Sequence, residues 1–212
     1  MRIVSIIVLT VLFFLYLTGC KNEKPDAAQD TTTARDTTVE KVDKDSLLLH
    51  ADIIRDSLQA NWDAMIQSDD QKFENIKRLL QEISYTSQYN HRLHDSLVKT
   101  CDHVKNTRYT QETMNAESID NYDALTDKYI ARVMTLAGSS PELSQHPLAE
   151  ELISEINEAN TNTLIKLRVN YGRWVMINNS FVKAYKNELS AAGPPYSEMK
   201  EINEFMGSSN VQ

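Results

Sequence analysis

The sequence predicts an all-α protein built as an antiparallel four-helix bundle. Three observations carry that prediction. Apolar residues recur at steps of three and four through most of the chain after position 45, which is the repeat of one helix face. Glycine and proline are scarce, five each, and the same region is rich in Leu, Ile, Glu, Lys, Asn and Gln. The apolar rows fall into four long segments joined by short connections, the pattern of antiparallel neighbours. A body of about 165 residues is long enough to bury a core without disulfides or metal. The charge is acidic, 30 Asp and Glu against 22 Lys and Arg. That balance argues against nucleic acid as a partner, and against docking on anionic lipid by electrostatics alone.

The first element is of a different material. Residues 1–19 carry one Arg at position 2 and then a run without charge over 3–17. The run is short of the roughly 20 residues needed to span a bilayer and has the length of a signal-peptide core. Leu17, Thr18, Gly19 and Cys20 close it, and they resemble a bacterial lipobox, in which the cysteine receives diacylglycerol through its sulfur. The resemblance implies that the mature chain begins at Cys20 and meets the membrane through two or three acyl chains, enough for stable anchoring. Cys101 then has no partner for an internal disulfide. Lying among Leu97, Val98 and Val104, it reads as a small buried hydrophobe. Lys21 follows the cysteine where Asp would signal inner-membrane retention, so the outer membrane of the cell envelope is the expected address. Residues 20–45 are rich in Thr, Asp and Lys and hold no aromatic residue. Such a segment buries too little to offset its ordering and is expected to be a disordered tether, reaching roughly 25–30 Å.

The helical body is expected over 46–212. Leu47, Ala51, Ile54, Leu58, Trp62 and Met65 mark one face of a first helix. The polar stretch at 67–71, with Ser68 and Gln71 at capping-box spacing, predicts a turn and a new helix start. Asp69 and Asp70 read there as part of that start rather than as paired catalytic acids. Phe73, Ile76, Leu79, Leu80 and Ile83 open a second row that runs on through Tyr89, Leu93, Leu97, Cys101 and Val104. Met114, Tyr122, Leu125, Tyr129, Val133 and Leu136 make a third. Gly138 and Pro141 end it, and Pro147 suits the first turn of the next helix. The fourth row runs from Leu148 to Leu189 through Ile156, Leu164, Tyr171, Trp174 and Phe181. Tyr196, Met199, Ile202 and Phe205, at steps of three, predict a short terminal cap.

Two stretches resemble the signatures of the LemA family. In the first, Trp62, Met65, Lys72, Phe73, Glu74, Ile76, Leu79 and Leu80 stand at the offsets of the family's Trp–Ile–basic–aromatic–acidic–Ile–Leu pattern. In the second, Asn162, Leu164, Arg168, Tyr171, Val175, Asn179 and Tyr185 follow the spacing of its later helix, and the turn at 140–143 is similar to the family's Tyr-Pro-Glu-Leu. The family's Glu is Thr161 here, one Asn is Gly172, and one Tyr is Asn178. The resemblance spans about 62–185. It implies an antiparallel helical bundle near a membrane, and it supplies no catalytic residues.

Candidate chemistry is sparse. His91 and His94 share a helix face and His103 lies further along, but no Glu-x-x-His pair recurs as a di-metal bundle would need, so no metal and no cofactor is expected. Gly-rich phosphate loops, a Gly-x-Ser-x-Gly elbow and an activated cysteine are all missing from the sequence. Arg168 falls among large apolar residues. It is either buried against a carboxylate such as Glu74, or exposed with its stem covering apolar surface. Asn179 is expected to be at least partly buried and hydrogen-bonded across the bundle, and Gly172 to admit a neighbouring helix. Structural or interaction candidates are therefore Trp62, Arg168, Tyr171 and Asn179, with Cys20 as the lipid attachment. The functional expectation is a non-catalytic adaptor or scaffold for envelope proteins. The alternative is a module binding a small molecule or glycan between helices near Tyr171 and Trp174.

Overall fold

The computed structural model describes residues 43–204. Cys20, the signal peptide, most of the tether and Phe205 lie outside the described residues. Every regular element among the described residues is helical. None of these helices is long and apolar enough to cross a membrane.

Helix α1 spans Lys44–Ser84, and its first turn is capped by Asp43, whose carboxylate accepts from the Ser46 amide. At about 1.5 Å per residue its 41 residues extend roughly 60 Å. The expected turn at 67–71 does not occur, and α1 runs straight through. The stretch reads as polar because Asp69 and Lys72 are buried and paired, not because the chain leaves the helix. The break comes at 85–90 instead. There Asn90 caps α2 (His91–Asn106) by accepting from the Leu93 amide.

After a connection at 107–115, α3 (Ala116–Gly138) begins with a reciprocal capping box between Asn115 and Ser118. Leu125 belongs to its apolar row by spacing but is exposed. A short 3-10 turn, Pro141–Gln145, leads to α4 (Pro147–Glu158), with Pro147 in the first turn as its missing N–H permits. The predicted fourth helix is divided. A π turn at Ala159–Thr163 separates α4 from α5 (Leu164–Ala184), and α6 (Lys186–Ala192) follows Tyr185. Gly193, with φ 76, takes the left-handed backbone that favours glycine and ends α6. After a 3-10 turn at Tyr196–Glu198 the chain is not helical over 199–204, and the expected terminal cap is this irregular strap, whose Met199 and Ile202 pack on the body.

Helix α1 is the spine, packing against α2, α3, α4 and α5. Its two halves serve two apolar clusters. Phe73, Ile76, Leu80 and Ile83 meet Leu97, Val133, Leu152 and Ile156 from α2, α3 and α4. Nearer its start, Ile54, Leu58, Trp62 and Met65 meet Met114, Ile119, Tyr171 and Val175, with Met199 and Ile202 of the strap laid against them. Cys101 is buried in the first cluster, and burial pushes its thiol up from the ordinary range.

Candidate functional site

The region between the two clusters is polar, and α1 builds it. Counting from Met65, the inward face passes through Asp69, Lys72 and Ile76 at helical steps. The Asp69 and Lys72 side chains are only 4% and 3% exposed, with Lys72 Nζ 2.9 Å from Asp69 Oδ1. Charges so deeply buried require further partners. Asp69 accepts from Arg108 Nη1 at 2.8 Å and from the Tyr122 hydroxyl. Lys72 donates to Asn160 Oδ1 at 3.3 Å and lies 5.6 Å from the centre of the Phe73 ring. The Asn160 amide in turn donates to Asp127 at 2.8 Å, so the π turn joins α1 to α3. One turn further along α1, buried Asn75 donates to Glu155 of α4 at 2.7 Å.

The electrostatics follow from this geometry. Arg108 also bonds Asp70 Oδ1 at 2.8 Å, with Lys105 at 3.2 Å from the same oxygen. Burial pulls the Arg108 guanidinium down, but Asp70 and Asp69 outweigh it and the net direction is up. Burial would raise the Asp70 carboxyl, yet Arg108 and Lys105 hold it below its usual value. Burial first, and then the Asp69 charge, push the Tyr122 phenol far above the ordinary tyrosine value.

Arg168 lies on the other side of this polar layer. It is partly buried and grips Asp123 of α3 with both Nη atoms, at 2.6 and 2.7 Å. Its Nη2 also donates to the Tyr109 hydroxyl at 3.2 Å. Of the two readings of Arg168, the carboxylate-paired one holds, but the partner is Asp123. Glu74 faces elsewhere and binds Lys77. Desolvation works against the Arg168 cation, and Asp123 more than restores it. Trp62 stands beside this pair, its ring 5.5 Å from Tyr171 and 6.3 Å from Tyr109. Tyr171 is fully buried, and its hydroxyl accepts from Gln111 at 2.9 Å.

Trp62, Arg168 and Tyr171 are thus brought together, whereas Asn179 is not among them. Asn179 is buried two turns further along α5. It bonds the strap rather than another helix, donating to the Ile202 carbonyl and accepting from the Ile202 amide, each at 2.9 Å. Asn178 is buried beside it and donates to the Lys200 carbonyl at 2.9 Å. The expectation for Gly172 is corrected. A Cβ there would meet nothing within 4 Å, so no other helix among the described residues comes close to it.

No protein-family model, curated protein or solved structure matches this chain. What the site can do is therefore argued from its own geometry. The space enclosed by Trp62, Asp69, Arg108, Tyr122 and Arg168 is about 20 Å³, room for a single water and far too little for a metabolite. That space borders Trp62 and Arg168, and neither Tyr171 nor Trp174 lines it. A larger groove of about 650 Å³ lies elsewhere, between α1, the 107–115 connection and the strap.

The histidines are engaged singly. His94 Nε2 lies 3.0 Å from the Leu80 carbonyl, and the His91 and His94 rings pack on Tyr89. No group of three or more His, Cys, Asp or Glu side chains is placed to hold a metal among the described residues. Asp69, Lys72, Arg108 and Tyr122 were not singled out by sequence reasoning as a constellation. The available clue was that the step from Met65 to Phe73 and Ile76 passes through Asp69 without a break in period.

Proposed function

We propose that this protein is a lipid-anchored, non-catalytic adaptor of the cell envelope. It holds a LemA-like antiparallel four-helix bundle above the membrane and binds other envelope proteins with it. The observation that carries the reading is the outer face of α5. Ile165, Val169, Gly172 and Met176 follow one another at steps of four, three and four, and Ile165 and Met176 are each 60% exposed. An exposed apolar row on a helix is a surface for packing against a protein. Gly172, with open space above it, is the low point that lets a partner helix approach the backbone.

The family reading is supported by placement. The two stretches resembling LemA signatures lie on α1 and α5, which pack together, with Trp62 of one against Tyr171 of the other. The anchor is supported by the lipobox-like residues ending at Cys20, and Lys21 favours the outer membrane over the inner. The polar layer contributes rigidity rather than chemistry. Its ions compensate one another, and its small cavity admits no substrate.

Photo-crosslinkers placed at Val169 and Met176, in membranes of the native organism, test the surface. One protein partner recovered repeatedly from these positions, and not from Glu117 on α3, is the expected result. Crosslinking equal to that control would refute it. Cys20→Ala should release the chain from the membrane fraction, and full retention would refute the anchor.

A further inference from the structure

The strap is held by a distinctive chemistry. Met199 is extended, with φ −63 and ψ 129, and the residues after it carry no helical assignment. Two side-chain amides of α5 bond three of the strap's main-chain groups. Asn178 Nδ2 donates to the carbonyl of Lys200, and Asn179 both donates to and accepts from the backbone of Ile202. Asn178 also donates to Asn179 Oδ1 at 3.2 Å, which fixes the two amides relative to each other. These contacts bond main-chain groups at residues 200 and 202, while Met199 and Ile202 both turn toward the second cluster. They are blind to side-chain identity and would hold any segment with this main-chain course. Selectivity is left to Met199 and Ile202, three residues apart, whose side chains pack on the second apolar cluster. The groove of about 650 Å³, lined by Arg55, Gln59, Gln111, Asn178 and the strap itself, continues alongside.

From this we infer that Asn178, Asn179 and the adjoining face of the second cluster form a docking site for a non-helical peptide segment of a partner protein, one with apolar residues three apart, and that residues 199–203 occupy it in cis. The inference rests on the adaptor reading and gives the partner a chemistry. The occupant present is the template. Its main chain is gripped and its two apolar side chains are seated. Gly193 ends α6 before it, so the strap can leave without unwinding α5. A tethered occupant competes at an effective concentration of about a millimolar, so the closed state prevails until a better segment arrives.

The test uses the full chain and a fluorescent peptide, SEMKEINE, copying residues 197–204. A Met199→Ser, Ile202→Ser variant weakens the strap while leaving both asparagines in place. By anisotropy it should bind the peptide saturably and at least tenfold more tightly than the unmodified chain. Adding Asn178→Ala and Asn179→Ala should weaken that binding at least tenfold. Equal binding by the unmodified chain and the strap variant, or binding that survives loss of both asparagines, overturns the proposal. Circular dichroism checks that each variant keeps its helices. In the unmodified chain, which needs no refolding control, saturating peptide should speed hydrogen exchange at the Ile202 amide, and no acceleration overturns the site. A chain that crosslinks its partner through α5 but ignores the peptide keeps the adaptor reading and loses this site. One that takes the peptide yet yields no crosslinked partner supports the site and refutes the α5 surface.

Discussion

Removing Asp69 should be far more damaging than removing Lys72, although the two form one ion pair. Their side chains are almost fully buried and 2.9 Å apart. When Lys72 becomes Met, Asp69 keeps Arg108 at 2.8 Å and the Tyr122 hydroxyl, so its charge stays compensated. The methionine fills most of the vacated stem volume. The expected cost is about 1.5–3 kcal/mol, one charge-assisted hydrogen bond. When Asp69 becomes Ala, Lys72 keeps only the Asn160 carbonyl at 3.3 Å and the Phe73 ring, neither of them an anion. An uncompensated buried charge costs about 3–5 kcal/mol. For a chain of 212 residues, 1 kcal/mol moves the melting temperature by about 2–4 °C. The Asp69→Ala variant should therefore melt roughly 6–20 °C lower, and Lys72→Met roughly 3–12 °C lower. The double variant Asp69→Ala, Lys72→Met should regain about 2 kcal/mol over Asp69→Ala, since it removes the orphan cation. Urea unfolding followed at 222 nm gives all three values by linear extrapolation. If Lys72→Met costs as much as Asp69→Ala, or the double variant is no better than Asp69→Ala, the account of this layer is wrong.

Other expectations follow from the same contacts. Gly172→Ala should stabilise the chain by about 0.5–1 kcal/mol in urea, because a Cβ there meets nothing and alanine favours the helix; a destabilised variant would mean that α5 is packed there after all. Arg168→Lys keeps the charge but loses the two-pronged grip on Asp123 and should cost about 1–3 kcal/mol, while an unchanged urea midpoint would show the grip to be idle. Tyr122→Phe should cost about 1.5–3 kcal/mol at neutral pH by removing the bond to Asp69. Burial and the Asp69 charge raise the Tyr122 phenol in the folded state, so its contribution is complete below pH about 10 and is lost as pH rises toward the folded value. The stability gap between the unmodified chain and Tyr122→Phe should therefore narrow above pH 10, and a gap independent of pH would contradict the assignment.

The helical class was legible because burial along a helix repeats every three or four residues, and this sequence keeps that repeat from Leu47 to Leu189. The course of α1 through 67–71 was misread for a definite reason. Charged residues ordinarily face solvent, so a cluster of them inside an apolar row reads as an exit from the core. Here the period continues through Asp69 and Lys72, and their partners come from residues 39 to 88 positions away, where local pattern has no reach. Arg168 left two readings open, because local spacing does not distinguish a paired guanidinium from an exposed one whose stem covers apolar surface. The choice of Asp123 over Glu74 depends on how α3 lies against α5. Asn179 was legible as buried, but its partner sits in the non-helical segment after Glu198, 23 residues on, where local pattern does not reach.

The strap explains why α5 can carry residues that weaken helices. Asn178 and Asn179 face inward, where their amides close the main chain of residues 200–202, and Gly172 faces outward over open space. Each costs helix propensity, a few tenths of a kcal/mol for asparagine and about 1 kcal/mol for glycine. A helix packed on α1 along its length can absorb such costs, because tertiary burial rather than propensity sets its stability. The strap itself has no such reserve. Its bonds join positions far apart in sequence, Tyr196 to Asp52 at 3.0 Å and Asn203 to the Met114 carbonyl at 3.1 Å, so they can form only after α1 and α5 have packed. It buries two apolar side chains against a cluster whose remaining members already hold one another. Segments that close last and bury little are the first to open. The same two asparagines that complete the fold are therefore also the part of it most easily presented to another chain.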